Sequence, residues 1–332
     1  MKLNLRVFLA VALLAFAACL LGSLAIPHDP YIRYQRFGDT IFDHLIANYR
    51  RIHNDERPID VVFLGSSRTG GAVDAELVSE LLQEKQLDLN VENFSIPAAG
   101  WDQRIVQLQE LLSKKKVKLV VFGVVERLPR DGHQAFADLA TSADLLDAPL
   151  LVNRNLPKAW ARMPYRQIEL AMASVVPEAF GYTADITQEI KLSQELVLDD
   201  GNGPTPHPGE EGGESLEEES KRRKREIRPP ILPDEYSFLE FGVSQYYLKQ
   251  LQELSVQHNF KIAFVYFPFY EGYQSPGDLE YLEKFGPVWR ATFYMHDPES
   301  YRDAAHTSKK PVKDIAKWVA DKIEARLEDD EK

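Results

Sequence analysis

Apolar and polar positions along the 332-residue chain fall into an alternation of short hydrophobic runs and amphipathic stretches. Ile59 to Leu64 is an apolar run broken only by Asp60 and bounded by turn residues, which suits a strand buried on both faces. Val73 to Leu87 reads as a helix, with Leu77, Leu81 and Leu82 on one stripe. Leu89 to Phe94 reads as a second strand, and residues 101–114 as a helix carrying Ile105, Leu108, Leu111 and Leu112. Val117 to Val125, VKLVVFGVV, is the strongest strand signal in the chain. The alternation resumes later. Phe241 to His258 predicts a helix striped by Tyr246, Tyr247, Leu251 and Leu254, and Phe260 to Phe267 a strand ended by Pro268. Ala291 to Met295 reads as a short last strand, and Lys310 to Leu327 as a closing helix with Ile315, Trp318, Val319 and Ile323 on one face. Strands alternating with helices predict an α/β fold, a three-layer α/β/α sandwich around a parallel sheet of flavodoxin-like type.

The remaining segments divide the chain. Residues 1–30 hold Val7 to Ile26, twenty residues without a charge, preceded by Lys2 and Arg6. At ~1.5 Å rise per residue this run spans the ~30 Å hydrocarbon core of a bilayer. The basic flank predicts the N-terminus inside and the body outside. Ser23-Leu24-Ala25 also offers a signal-peptidase cut, and Phe16 to Cys19 resembles a lipoprotein box; all three readings place the body extracytoplasmically. Residues 31–57 read as a membrane-proximal connector, with Phe37, Ile41, Leu45 and Tyr49 at helical spacing. The α/β unit then falls in two parts, 58–130 and 234–328, around a helical insertion at 131–198. Residues 199–233 are rich in Gly, Pro and blocks of like charge, a composition that predicts a disordered, self-neutralising linker.

Composition narrows the function. The chain is 44% hydrophobic and carries a net charge of −12, so it is globular and nucleic acid is not an expected partner. A single cysteine, Cys19, excludes an intrachain disulfide and a cysteine-based metal site. No His/Asp/Glu cluster has ligand spacing, and Gly65 to Gly71 lacks the lysine of a phosphate-binding loop, so neither metal nor cofactor is expected.

The chemistry concentrates at the first strand's end, where VVFL gives way to Gly65-Ser66-Ser67-Arg68. Gly65 permits a sharp corner through its tolerance of φ > 0, and Ser66 is expected to satisfy local backbone. Ligands of parallel sheets sit outside the C-terminal strand ends, which favours Ser67 as a nucleophile over a simple turn residue. A serine nucleophile needs a base and a group to orient it. Of the eight histidines, His306 stands out: it follows Asp303 by three residues, after the last strand and before the final helix.

These blocks resemble the SGNH (GDSL-like) hydrolase superfamily. FLGSS, Phe63 to Ser67, is similar to the family's first block, with Ser66 in place of its aspartate; Asp303-Ala-Ala-His306 is similar to its last. Asn93 to Gly100 resembles the second block, whose oxyanion-donating glycine corresponds to Ala98 or Gly100. The third block, G-x-N-D, reads FGVVER here, Phe122 to Arg127, and its asparagine is absent. Arg68, Arg127 or a backbone amide is then left to replace that donor, or Glu126-Arg127 is an ion pair capping the sheet edge. The resemblance implies catalysis by Ser67, Asp303 and His306, with Gly100, Asn93, Arg68 and Arg127 as oxyanion or substrate candidates.

Within the superfamily, the GSSR spelling and an N-terminal anchor look most like envelope proteins associated with alginate acetylation or teichoic-acid D-alanyl transfer. That resemblance implies a serine esterase or O-acyltransferase acting on a cell-envelope polysaccharide beside a membrane-bound O-acyltransferase. The alternative it leaves is a catalytically degenerate scaffold for such a partner. Trp160, Tyr165 and Tyr182 of the insertion are candidate sugar-stacking rings, with core packing as the competing explanation.

Overall fold

The computed structural model describes residues 5–24, 26–188 and 214–328. Five parallel strands, β1 (Val61–Leu64), β2 (Val91–Asn93), β3 (Leu119–Val124), β4 (Lys261–Tyr266) and β5 (Val288–Arg290), form one sheet in the order β2-β1-β3-β4-β5. Parallel neighbours cannot be joined by hairpins, so each connection crosses a face of the sheet. Two-residue periodicity divides the strands between two cores. Val62, Leu64, Val120, Phe122, Ile262 and Phe264 face one core; Val61, Phe63, Leu119, Val121, Ala263 and Val265 face the other.

Helices cover both sides. Their order begins with α1 (Leu5–Leu24), α2 (Pro30–Gln35), α3 (His44–His53), α4 (Ser67–Ala72), α5 (Ala75–Glu84) and α6 (Asp102–Leu112). It continues with α7 (Phe136–Leu139), α8 (Ser142–Asp147), α9 (Leu156–Val175), α10 (Leu216–Glu226), α11 (Ser237–His258), α12 (Leu279–Leu282) and α13 (Val312–Glu328). The first core takes Leu45 and Tyr49 of α3, Ile105 and Leu108 of α6, and Leu248 and Leu251 of α11. The second takes Val78 and Leu82 of α5 with Ile315, Val319 and Ile323 of α13. The arrangement is a three-layer α/β sandwich.

Four segments depart from the sequence expectations. The connector is part of the body: Tyr31, Tyr34, Phe37, Leu45, Ile46, Tyr49 and Ile52 are buried in the first core, and Glu110 pairs with both Arg33 and His53. The last strand lies at Val288–Arg290, three residues before the expected run, because the Phe264 N–H bonds Pro287 O and the Ala291 N–H bonds Tyr266 O; residues 292–294 turn away as a 3₁₀ helix. The expected disordered linker holds α10. Its Ser215 and Glu218 form a reciprocal capping box, and acidic residues at its start and basic ones at its end complement the helix dipole. Residues 199–213 of that expectation lie outside the described residues.

The fourth is the membrane span. Helix α1 is apolar and its described side chains face outward, Leu13 and Leu14 among them, but those side chains run unbroken only from Leu5 to Cys19. Among the described residues no helix is long and apolar enough to cross a membrane, so the expected span is not met over them.

Candidate active site

At the C-terminal edge of β1 the chain runs through Gly65 and Ser66 and enters α4 at Ser67. The glycine is required for clearance rather than for a left-handed backbone, since Gly181 alone among the described glycines has positive φ. A Cβ on Gly65 would stand 2.2 Å from Thr69 Oγ1, and one on Gly123 of β3 would stand 1.9 Å from the same atom. Two strand ends without side chains thus form a socket that admits buried Thr69 and seats α4 directly on the sheet. Ser66 occupies the N-cap in extended conformation but makes no side-chain cap bond, contrary to the expectation that it satisfies local backbone.

The candidate base, His306, arrives from the other end of the chain. Ser67 Oγ lies 2.8 Å from His306 Nε2, across 239 positions of sequence. His306 Nδ1 lies 2.9 and 2.8 Å from the two oxygens of Asp303. A proton on Nδ1 satisfies the carboxylate and leaves Nε2 with the lone pair that accepts the Ser67 hydroxyl proton. Burial pushes the Asp303 carboxyl up, but the hydrogen bond and charge of His306 and the N–H groups of Ala305 and His306 outweigh it and hold the carboxyl down at about 2. It therefore stays ionised and fixes the tautomer.

A hairpin carries this turn. Tyr301 and Thr307 form an antiparallel bridge, the Arg302 N–H bonds His306 O, and the Ser308 N–H bonds Ser300 O. The Thr307 hydroxyl donates to Gly71 O at 3.1 Å, tying the histidine arm to α4, which carries Ser67. The Tyr301 hydroxyl donates to Pro268 O at 3.0 Å, tying it to the end of β4.

The other candidates are occupied elsewhere. Arg68 makes a bidentate ion pair with Glu126, at 2.6 and 2.5 Å, and also donates to Phe267 O. Their side chains are 11% and 8% exposed. Burial works against both charges, yet each partner holds the other ionised: the Arg68 guanidinium is shifted up and the Glu126 carboxyl down. The ion pair at the sheet edge is therefore Arg68–Glu126, not Glu126–Arg127. Arg127 reaches Asp278 at 3.4 Å, and Asp278 also accepts the Leu128 N–H. Asn93 donates to Thr69 O, Gly70 O and Val73 O, clasping the C-terminal turn of α4 rather than facing a substrate. Gly100 packs against His133, 2.4 Å from its Cβ if it carried a Cβ of its own, while His133 Nε2 meets Pro97 O at 2.9 Å. Burial presses the His133 imidazole down to about 4, so it is neutral there.

Of the two positions in the second block, Ala98 has the left-handed backbone, φ 65, that glycine adopts without strain. Its loop runs beside the Gly65–Ser67 corner, because the Ile96 N–H bonds Gly65 O. In α4 the first internal bond joins the Gly70 N–H to Ser66 O, which leaves the earlier N–H groups, Ser67's included, without a partner in the helix. Of the insertion aromatics, Trp160 donates to Leu145 O and packs on the first core, Tyr182 packs beside Ile32, and Tyr165 is exposed. Sequence reasoning passed over Thr69, Thr307 and Tyr301, since nothing local marks a side chain that acts by seating a distant segment. Among the described residues, no group of three or more His, Cys, Asp or Glu side chains is arranged to hold a metal ion. No protein-family model matches the chain, and no curated protein matches it.

Proposed function

We propose that the protein is a serine esterase or O-acyltransferase that works through an acyl-Ser67 intermediate. The observation that carries the reading is the continuous contact Ser67–His306–Asp303 at the C-terminal edge of the sheet. His306 Nε2 takes the hydroxyl proton as Ser67 Oγ bonds to the ester carbonyl carbon; the C–O bond to the leaving alcohol then breaks and that alcohol receives the proton from His306. A second alcohol, or water, repeats the sequence in reverse and frees Ser67. Negative charge on the carbonyl oxygen falls to backbone donors, the Ser67 N–H and the Ala98 to Gly100 loop, because Asn93, Arg68 and Arg127 are committed to other partners.

The resemblance to envelope acyl-transfer proteins extends this to a polysaccharide acceptor, a membrane-bound O-acyltransferase as partner, and an anchored body outside the cytoplasm. The anchor rests on that resemblance alone, since among the described residues no helix is long and apolar enough to cross a membrane. One observation favours a second reading, a scaffold that retains the fold without turnover: Val125 stands where the family has its asparagine, and Glu126 after it consumes Arg68. Treatment of the purified full-length protein with a serine-directed fluorophosphonate, followed by peptide mapping, separates the two. An adduct on Ser67 that is lost in H306A supports the acyl-transfer reading. No adduct on folded protein, with a control hydrolase reacting, leaves the scaffold.

A further inference from the structure

The Asp303–His306 turn presents three N–H groups inward. Two of them, on Ala305 and His306, bond the Asp303 carboxylate. The third, on Ala304, donates to Glu219 Oε2 at 2.9 Å, and Glu219 belongs to α10, far away in sequence. Ala304 is wholly buried. Its carbonyl accepts the Tyr270 N–H at 2.8 Å, and Tyr270's own carbonyl accepts the Ser220 hydroxyl at 2.6 Å. Glu219, Ala304, Tyr270 and Ser220 therefore close a ring of hydrogen bonds between α10 and the turn. Leu216, buried in the second core with Tyr270, Tyr301 and Ala304, seats the helix beside it.

We infer that α10 braces the catalytic turn, with Glu219 as a positioning residue that orients Asp303 and His306 through the Ala304 amide. The inference rests on the acyl-Ser67 reading. The physical reason is the asymmetry of buried hydrogen bonds: a buried N–H that loses its acceptor carries the whole desolvation penalty, and the backbone rotates to find another. Here rotation of the Ala304 peptide moves Asp303, its neighbour. The exposed ion pairs of Glu219 with Arg222 and Arg223 do not reach the turn and contribute little.

The test measures the second-order rate of fluorophosphonate labelling of Ser67 in the full-length chain, with a thermal melt of each variant. E219A is expected to label about tenfold more slowly while its melt stays cooperative and falls by only a few degrees, about what one lost buried hydrogen bond costs; E219Q, which keeps an acceptor oxygen but no charge, stays within about twofold of the parent. R223A, which removes an ion pair of the same carboxylate without touching Ala304, is expected to match the parent. Equal rates for E219A and the parent overturn the brace alone, as does E219Q as slow as E219A. A parent chain that does not label at all overturns the nucleophile reading and the brace with it.

Discussion

Replacing Glu126 tests whether the strand-edge ion pair builds the site or takes part in its chemistry. The two side chains meet at 2.6 and 2.5 Å with almost no solvent contact. At ~4 Å between charge centres and an effective dielectric of ~20, their attraction is about 4 kcal/mol, most of it offset by the desolvation of both ions. Deleting one partner keeps the desolvation and discards the attraction. E126A and R68M should therefore each destabilise by about 3–5 kcal/mol. The double variant R68M/E126L removes both ions, fills the space with apolar atoms and leaves Tyr266 its bond to Tyr273 O, so it should cost less than either single change. Urea midpoints on the three variants measure the cycle, and fluorophosphonate labelling of folded protein measures the site. Simple additivity, or single variants costing less than ~1 kcal/mol, refutes the buried-pair account. A hundredfold drop in labelling in the double variant, about 2.7 kcal/mol, refutes the structural assignment and returns Arg68 to the oxyanion.

D303N should slow labelling of Ser67 on the order of a thousandfold without unfolding the chain, because an amide no longer selects the Nδ1–H tautomer of His306; a stopped assay on D303N and the parent measures it. The Asp303 carboxyl is held down at about 2, below its ordinary value of 3.8, so its stabilisation is complete above that ordinary value and is lost as pH falls toward 2. Urea midpoints from pH 5 to pH 2 should accordingly fall less steeply for D303N than for the parent. G123A should destabilise by about 3 kcal/mol through collision with Thr69, and T69A in the same chain should recover part of it because the Oγ1 contact is the closest. S215A removes a capping box and should loosen α10 by about 1 kcal/mol, read as faster amide exchange within residues 216–226.

The sheet was legible chiefly because β1, β3 and β4 are buried on both faces and announce themselves as apolar runs against polar helices, whereas the edge strand β2, Val-Glu-Asn, was read only from Leu89, Val91 and Phe94 around its polar residues. Val288–Arg290 was misplaced because a three-residue strand with an exposed Arg290 leaves no run to read, and the aromatic-rich residues after it imitate one. Ser67, His306 and Asp303, which the structure brings into contact, were legible as candidates because D-x-x-H and the strand-to-serine corner are local spellings. Their supporting residues were not, since Thr69 and Thr307 act across packing contacts that no spacing encodes. Gly65 was read for its backbone freedom and serves instead as an absence of side chain. Composition misled at 214–233: charge blocks suggested solvation, while Ser215-Leu-Glu-Glu218 carried a capping signature and Leu216 and Ser220 supplied the two buried contacts that dock the helix.

Ser67 and His306 are brought together across 239 positions, with nearly the whole fold between them. During synthesis the N-terminal part emerges first, so the serine corner exists while the histidine hairpin is still unmade. The contact has a large sequence separation, and the hairpin that brings His306 is itself held to the end of β4 through the Tyr301 hydroxyl and Pro268 O. In an unfinished or C-terminally clipped chain Ser67 therefore lacks its His306 partner, and on the acyl-Ser67 reading its reactivity waits for the last segment to dock.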